Sequence, residues 1–349
     1  MKSLNAKRRI GRGISFALIL GLTTVVTSCK KDDNSLAASP TSSSSTASLT
    51  SGVNFQTTRT TVGAVYTVSK PINLTGAHDL TISGKSIDGG TVPAITLTNC
   101  YNVHITGNML ANSTDVGIYL YNCYNITIDS NDISNVASGV DVVNTTKGNI
   151  LVIWNQFRNM NGPFPRGQFI QFNTVSGPNN LIDNNRGENI FGSSYPEDAI
   201  NIYKSHGTAA SPLKVTNNWI KGGGPSASGG GIMLGDNGGS YQVASGNILV
   251  DPGQYGMAIA GGDHISITNN SVYARMQSFT NVGIYIWAQT GSKCTYATIS
   301  GNKVNFTNAQ NEQNNKWIGT GESTPSGWAT NTWGANIDAS LLPAAVVSF

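Results

Sequence analysis

Two stretches of this chain align by eye: "AITLTNCYNVHITGN" at 94–108 and "GIYLYNCYNITIDSN" at 117–131. Each reads as a short apolar alternation, a polar turn, a second alternation, then Gly or a polar residue followed by Asn. The pattern returns with insertions in "GVDVVNTTKGNILVIWN", "AINIYKSHGTAASPLKVTNN", "GIMLGDNGGSYQVASGN", "GMAIAGGDHISITNN" and "GIYIWAQTGSKCTYATISGN". The first apolar residue of each unit is Ile95, Ile118, Val140, Ile170, Ile200, Ile232, Met257 and Ile284, at intervals of 22 to 32 residues. Repeats of this length imply a solenoid, in which one unit buries its apolar face only by stacking on the next. The alternation within each unit has period two and is rich in β-branched residues, so the units are strands and turns. Leucine-rich spacing is missing, and a propeller blade needs four strands in ~40–45 residues. A parallel β-helix is left, with coils stacked at ~4.8 Å.

A recurring asparagine supports that architecture. Asn108, Asn131, Asn155, Asn185, Asn218, Asn247, Asn270 and Asn302 each follow the second strand. Stacked in register, their amides can bond from coil to coil as in cross-β ladders. In these repeats the sequence resembles the pectin-lyase-like family of right-handed parallel β-helices, over residues 60–305. Right-handedness is what that resemblance implies, in keeping with the rule for parallel crossovers. The expected organisation is an all-β helix over 52–305, with the Trp-containing segment 306–349 capping the last coil.

The first residues do not read as fold. Lys7, Arg8, Arg9 and Arg12 precede an apolar run from Ile14 to Val26, and small residues lead to Cys29. That is a secretory leader over 1–28 and too short for a membrane span. The string "VTSC" resembles a bacterial lipobox and "KKDD" the surface-export signal of Bacteroidetes lipoproteins. The resemblance implies lipidation at Cys29 and a membrane-anchored protein of the outer membrane or cell surface, with 29–51 as a Ser/Thr-rich tether. Without residues 1–28 the chain has sixteen Lys and Arg against eighteen Asp and Glu. Such a balance argues against nucleic acid as a partner, since its binders carry basic stripes. Cys100 and Cys123 hold equivalent sites in successive coils, within reach of a disulfide but more simply a reduced inward stack. Cys294 has no evident partner, and no CxxC metal or redox motif occurs.

Alternate strand residues point outward. The first outward column reads Thr96, Tyr119, Asp141, Gln171, Asn201, Met233, Ala258, Tyr285; the second reads Thr98, Tyr121, Val143, Asn173, Tyr203, Gly235, Ala260, Trp287. A polar centre flanked by aromatic rings suits a glycan, whose CH faces stack on rings while its hydroxyls bond amides and carboxylates. In "YPEDAINIYKSHG", Glu197 and Asp198 fall at the turn entering a strand, with Lys204 and His206 at the turn leaving it. Arg166 and Gln171 come from the coil below, Asp236 from the coil above, and the glycines of "SGGG" are expected to open space over the acids.

The string "EDAINI" resembles the "DDCIAI" type of coil in polygalacturonases and related β-helical glycosidases, which implies catalytic roles for Glu197 and Asp198. The neighbouring coils depart from that family, with "RGQF" in place of its Asn-Thr-Asp motif and "GGG" in place of Gly-His-Gly. Three functions therefore stay open. A glycoside hydrolase would pair Glu197 or Asp198 with Asp236 or Asp141. A polysaccharide lyase would hold a uronate with Arg166, Gln171 and Asn201 and move a proton with Tyr203, His206 or Lys204. A non-catalytic module would bind glycan through Tyr119, Tyr121 and the far aromatics. No cofactor is required; calcium is a candidate for a lyase, with only Glu197, Asp198 and Asp236 to hold it.

Overall fold

The computed structural model describes residues 65–291 and 293–349, so the leader, Cys29 and the tether lie outside the described residues. From Thr67 the chain winds into coils with three strand-bearing faces. One coil, for instance, contributes Ile95–Thr98, Tyr101–Thr106 and Met109–Tyr121, the last running round a corner into the next coil. Every pairing between strands is parallel, coil on coil, as in Ile95↔Ile118, Ile118↔Val140, Val140↔Ile170 and Ile170↔Ile200. The same column continues through Ile232, Met257 and Ile284. All eight apolar starts read from the sequence therefore stack in register. Nine strands form one sheet in strict chain order, which is the topology of a parallel β-helix.

The inward residues fill the bore: Ile, Val and Leu side chains such as Ile118, Leu120, Val140, Val142, Ile170 and Phe172 are fully buried in one continuous core. Each such side chain contributes ~1.5–3 kcal/mol through burial. Ala199, an outward residue by alternation, is buried with this core. Most non-glycine residues with positive φ are asparagines at coil corners, for example Asn99, Asn122 and Asn144. Asn tolerates the left-handed region better than most side chains, which explains its abundance where the chain must turn. Cys100 and Cys123 are free and buried, with the Cys100 amide donating to Cys123 Sγ at 3.4 Å. Burial pushes the Cys123 thiol up to about 11.

The asparagine ladder forms as expected. Asn108 Nδ2 donates to Asn131 Oδ1 at 2.9 Å, Asn131 to Asn155 at 3.0 Å and Asn155 to Asn185 at 3.1 Å. It continues through Asn218, Asn247, Asn270 and Asn302. A further rung, Asn331, accepts from Asn302 at 2.7 Å. The segment after 305 thus supplies strands Lys316–Ile318 and Thr332–Trp333, which pair with the preceding coils. Its end then runs back along the third face. Leu342, Val346 and Val347 pack with Val250, and Arg158 donates to the Phe349 carbonyl.

Candidate functional site on the outward face

The first outward column has the register expected from alternation: Tyr119↔Asp141, Asp141↔Gln171, Gln171↔Asn201, Asn201↔Met233, Met233↔Ala258 and Ala258↔Tyr285. Trp317 extends it by one coil. The second column differs at one point. Tyr203 pairs with Asp236 and not Gly235, because the strand Ile232–Ser240 bulges there and Gly235 takes φ +65°. The bulge turns Asp236 onto the outward face, one coil above Tyr203.

Asn201 is the centre of the arrangement. Its Nδ2 donates to Asp198 Oδ2 at 2.8 Å and to Asp236 Oδ2 at 2.9 Å. One nitrogen thereby clamps two carboxylates from successive coils, with their oxygens no farther apart than those two bonds allow. The other amide atom, Asn201 Oδ1, is buried without a partner. Asp198 also accepts the Gly230 amide at 3.1 Å and the Tyr255 hydroxyl on Oδ1. Burial pushes its carboxyl up to about 6, with Asp236 and Glu197 adding to the rise against the opposing bonds from Tyr255 and Asn201. Asp236 is half-buried and is also raised, by burial against its bond from Asn201.

The glycines of "SGGG" do not open space for a ligand; they let neighbours close in. A Cβ on Gly230 would sit 2.6 Å from the Tyr255 ring, and one on Gly229 2.5 Å from the Glu197 backbone. Asp198, Gly230 and Tyr255 stand in one column two residues before Ile200, Ile232 and Met257. The missing side chain at Gly230 is what lets Tyr255 reach down two coils to Asp198. Sequence reasoning missed Tyr255, although its place in the repeat, above a glycine above an acid, carried the signal.

Glu197 is fastened. Ser226 Oγ donates to its Oε1 at 2.6 Å and Ser228 Oγ to its Oε2 at 2.9 Å, and the residue is buried. These bonds make it a brace for the 226–228 loop. Arg166 belongs to a second, adjoining cluster. Its guanidinium bonds Asp141 and lies 3.8 Å from Asp115. Asp141 is buried under it with Oδ1 unpartnered, and burial raises its carboxyl despite Arg166. Burial likewise raises the neighbouring Tyr119 phenol, with Asp141 adding to the effect. Gln171 is half-buried between the two clusters, and Tyr121 is exposed.

Lys204 and His206 sit inside the strand Ile200–His206 and not at a turn after it. Lys204 takes φ +46°, which bends the strand and lays its ammonium 5.3 Å from the Tyr203 ring centre. Ser205 then turns inward, and His206 emerges round the corner against Ser240 Oγ at 3.2 Å. The bend therefore takes both away from the clamped acids, to which neither bonds. Tyr203 faces the site, and its hydroxyl accepts from Asn237 at 2.9 Å.

Calcium fits this arrangement poorly. The oxygens of Glu197 and Asp198 are taken by hydrogen-bond donors, and the described residues contain no cluster of three or more His, Cys, Asp or Glu able to hold an ion. A shallow surface groove of about 260 Å³ lies elsewhere, among Asn99, Tyr101, Asn122, Tyr124 and Lys147, and holds none of these acids.

The chain is similar to known proteins in its sequence pattern. Its sequence matches the family model described as "Right handed beta helix region" over residues 23–157 and 105–272. No curated protein matches it. Among solved structures it is similar to an alginate lyase from Paenibacillus sp. str. FPU-7, at 15% identity and a TM-score of 0.43, covering 73% of this chain and 89% of that one. The family match spans well over half the chain and sets the hand of the coil: the protein belongs to the right-handed β-helix family.

Proposed function

We propose that the protein is a glycoside hydrolase acting on a polysaccharide without acidic sugars, with Asp198 and Asp236 as its carboxyl pair. The observation that carries this reading is the clamp of both carboxylates on Asn201 Nδ2. Hydrolysis with retention uses carboxyls ~5–5.5 Å apart, whereas inversion needs ~6.5–9.5 Å to admit a water. Two bonds on one nitrogen fit the shorter class.

The roles follow from the surroundings. The three bonds that Asp198 accepts oppose the rise that burial imposes, and the anion it forms above about pH 6 takes the nucleophile's role. Half-buried Asp236, raised by burial, can carry a proton to the leaving oxygen. Asp198 attacks the anomeric carbon as the glycosidic C–O bond breaks and the leaving oxygen takes Asp236's proton. Water then attacks the same carbon, Asp236 takes its proton, and the ester bond to Asp198 breaks.

The charge around the site disfavours a uronic-acid polymer. Arg166 is already paired with Asp141 and Asp115, and Glu197, Asp198 and Asp236 add further acid. A uronate would meet net repulsion where β-elimination needs its carboxylate neutralised.

The test is product analysis on neutral and uronic polysaccharides. New reducing ends in the substrate's anomeric configuration are expected; unsaturated, ultraviolet-absorbing ends would establish a lyase, and binding without cleavage a glycan-binding module. We also propose attachment to the outer membrane through lipid on Cys29. Mass spectrometry of the mature N-terminus finding an unmodified Cys29, or none, would discard that anchor.

A further inference from the structure

The outward face is not one continuous groove. In the N-terminal coils the second column is open, with Tyr121 39% exposed and Val143, Asn173 and Tyr203 half-buried, while the first holds half-buried Tyr119 and Gln171 beside the polar Asp141 and Asn201, each 4% exposed. Past the clamped acids the first column turns apolar and stays buried, and the second is buried at Ala260 before Trp287 emerges 42% exposed. Met233 is 6% exposed, Ala258 and Ala260 0%, and Tyr285 7%, although all four leave the coil on its outer side. With Tyr255 and Val282 they make a second apolar cluster, separate from the bore of the solenoid.

Aromatic rings build this cluster into a wall. Tyr255 meets Tyr285 edge-on at 5.2 Å, Tyr285 lies 6.2 Å from Trp317, and Trp317 is 5.6 Å from Trp287. Gln289 donates to the Tyr285 hydroxyl at 2.7 Å and pins the ring. Met233, Tyr255 and Tyr285 are buried by packing on one another, with Trp287 and Trp317, 42% and 44% exposed, as the outer rim.

We infer that the wall of Met233, Tyr255 and Tyr285 closes the substrate path just beyond Asp236, so that the site takes a polysaccharide by its end and releases short products. The inference rests on the hydrolase reading above and names its mode of action. Coils repeat at ~4.8 Å, roughly one sugar unit. The stretch from the Tyr119 coil to the Asn201 coil therefore holds about four units on one side of the clamp, and the wall, which begins at Met233 in the Asp236 coil itself, keeps the other side short. Met233 and Tyr285 set the product length.

The experiment follows viscosity and reducing ends together on β-glucan, xylan, mannan and arabinan. Reducing sugar should accumulate while viscosity barely falls, with one- and two-unit products from the start. A bulky aminobenzamide label on the reducing end, or a blocking group on the other end, should abolish cleavage of oligosaccharides in one case and not both. Viscosity collapsing after a few cuts, with long products, overturns the end-on inference and leaves the hydrolase reading intact. No binding or cleavage of any glycan overturns both. Replacing Tyr285 with Ala should lengthen the first products; if that variant does not fold, Met233→Ala serves, since it shortens the wall without removing a ring. Unchanged products from a folded variant of either kind overturn the role of the wall.

Discussion

Two of the places where the molecule buries asparagines, the ladder and the outward face, are treated differently. At the ladder corner Asn131 is satisfied throughout. Its Nδ2 donates to Ile105 O, Asp129 O and Asn155 Oδ1, and its Oδ1 accepts the amide and side chain of Asn108. The same set recurs from coil to coil. On the outward face Asn201 stands in a column of varied residues, with an exposed asparagine, Asn73, at its far end, and it spends its Nδ2 on two acids and leaves Oδ1 unpartnered. Repetition marks what holds the solenoid together. The coil where an amide faces two carboxylates is where the proposed function puts the ligand, since native structures keep few such debts without a reason.

The comparison predicts opposite consequences for substitutions at the two places, and the largest belongs to the clamp. Asp236→Asn should lower kcat/KM by ~10²-fold or more while leaving the unfolding transition close to wild type, because a positioned acid contributes at least that much. Turnover within twofold of wild type would separate the clamp from the chemistry. At the ladder the loss is of stability. Asn131→Leu removes the acceptor of the Asn108 backbone amide and of one Asn108 Nδ2 hydrogen, each worth ~1–3 kcal/mol, so chemical denaturation should show a loss of about 2 kcal/mol or more. A loss under 1 kcal/mol would mean the ladder is dispensable.

The pH dependence of stability sharpens the contrast, because the ladder does not titrate and the clamp does. Asp198 has a native pKa of about 6, above the ~3.9 of an unfolded aspartate. Between those values the native state binds the extra proton. The stability from this group is therefore present at low pH and lost as pH rises from about 4 to 6, by up to ~3 kcal/mol. Asp198→Asn should flatten that fall, measured as the denaturation midpoint across the window. An equally steep fall in the variant would assign it to the other raised carboxyls, Asp141, Asp236 and Asp251.

How legible each region was follows from the same distinction. The ladder and the first outward column could be read because both obey the coil repeat and the period of two. Asn331 escaped because its coil carries only the two-residue strand Thr332–Trp333, too short to show alternation. Asp236 was placed in the right coil but a residue off, since a bulge at a positive-φ glycine has no periodic signature. The bonds that fasten Glu197 were not legible in the sequence, because Ser226 and Ser228 reach it from an aperiodic loop. The filled groove was hidden as well. Met233, Ala258 and Tyr285 were correctly turned outward, and only their mutual packing shows that outward is not exposed.

The smallest expected effect concerns Tyr255, which links the wall to the clamp. Its hydroxyl bonds Asp198 Oδ1 across the gap left by Gly230, and burial places its own pKa well above an ordinary tyrosine's, so it stays a donor. That bond favours the anionic form of Asp198, opposing the rise that burial imposes. Tyr255→Phe keeps the ring against Gly230 and Tyr285 and removes only the hydroxyl. Asp198 should then titrate at a higher pH, and the acidic limb of kcat/KM should move up with it, at a cost below about tenfold at alkaline pH, where Asp198 is ionised in both proteins. Carbon-13 titration of the Asp198 carboxyl gives the shift without needing turnover. If the pKa stays where it is while the protein loses stability, Tyr255 only packs the wall. If the pKa rises and the limb follows, the wall that ends the groove also holds the nucleophile ready.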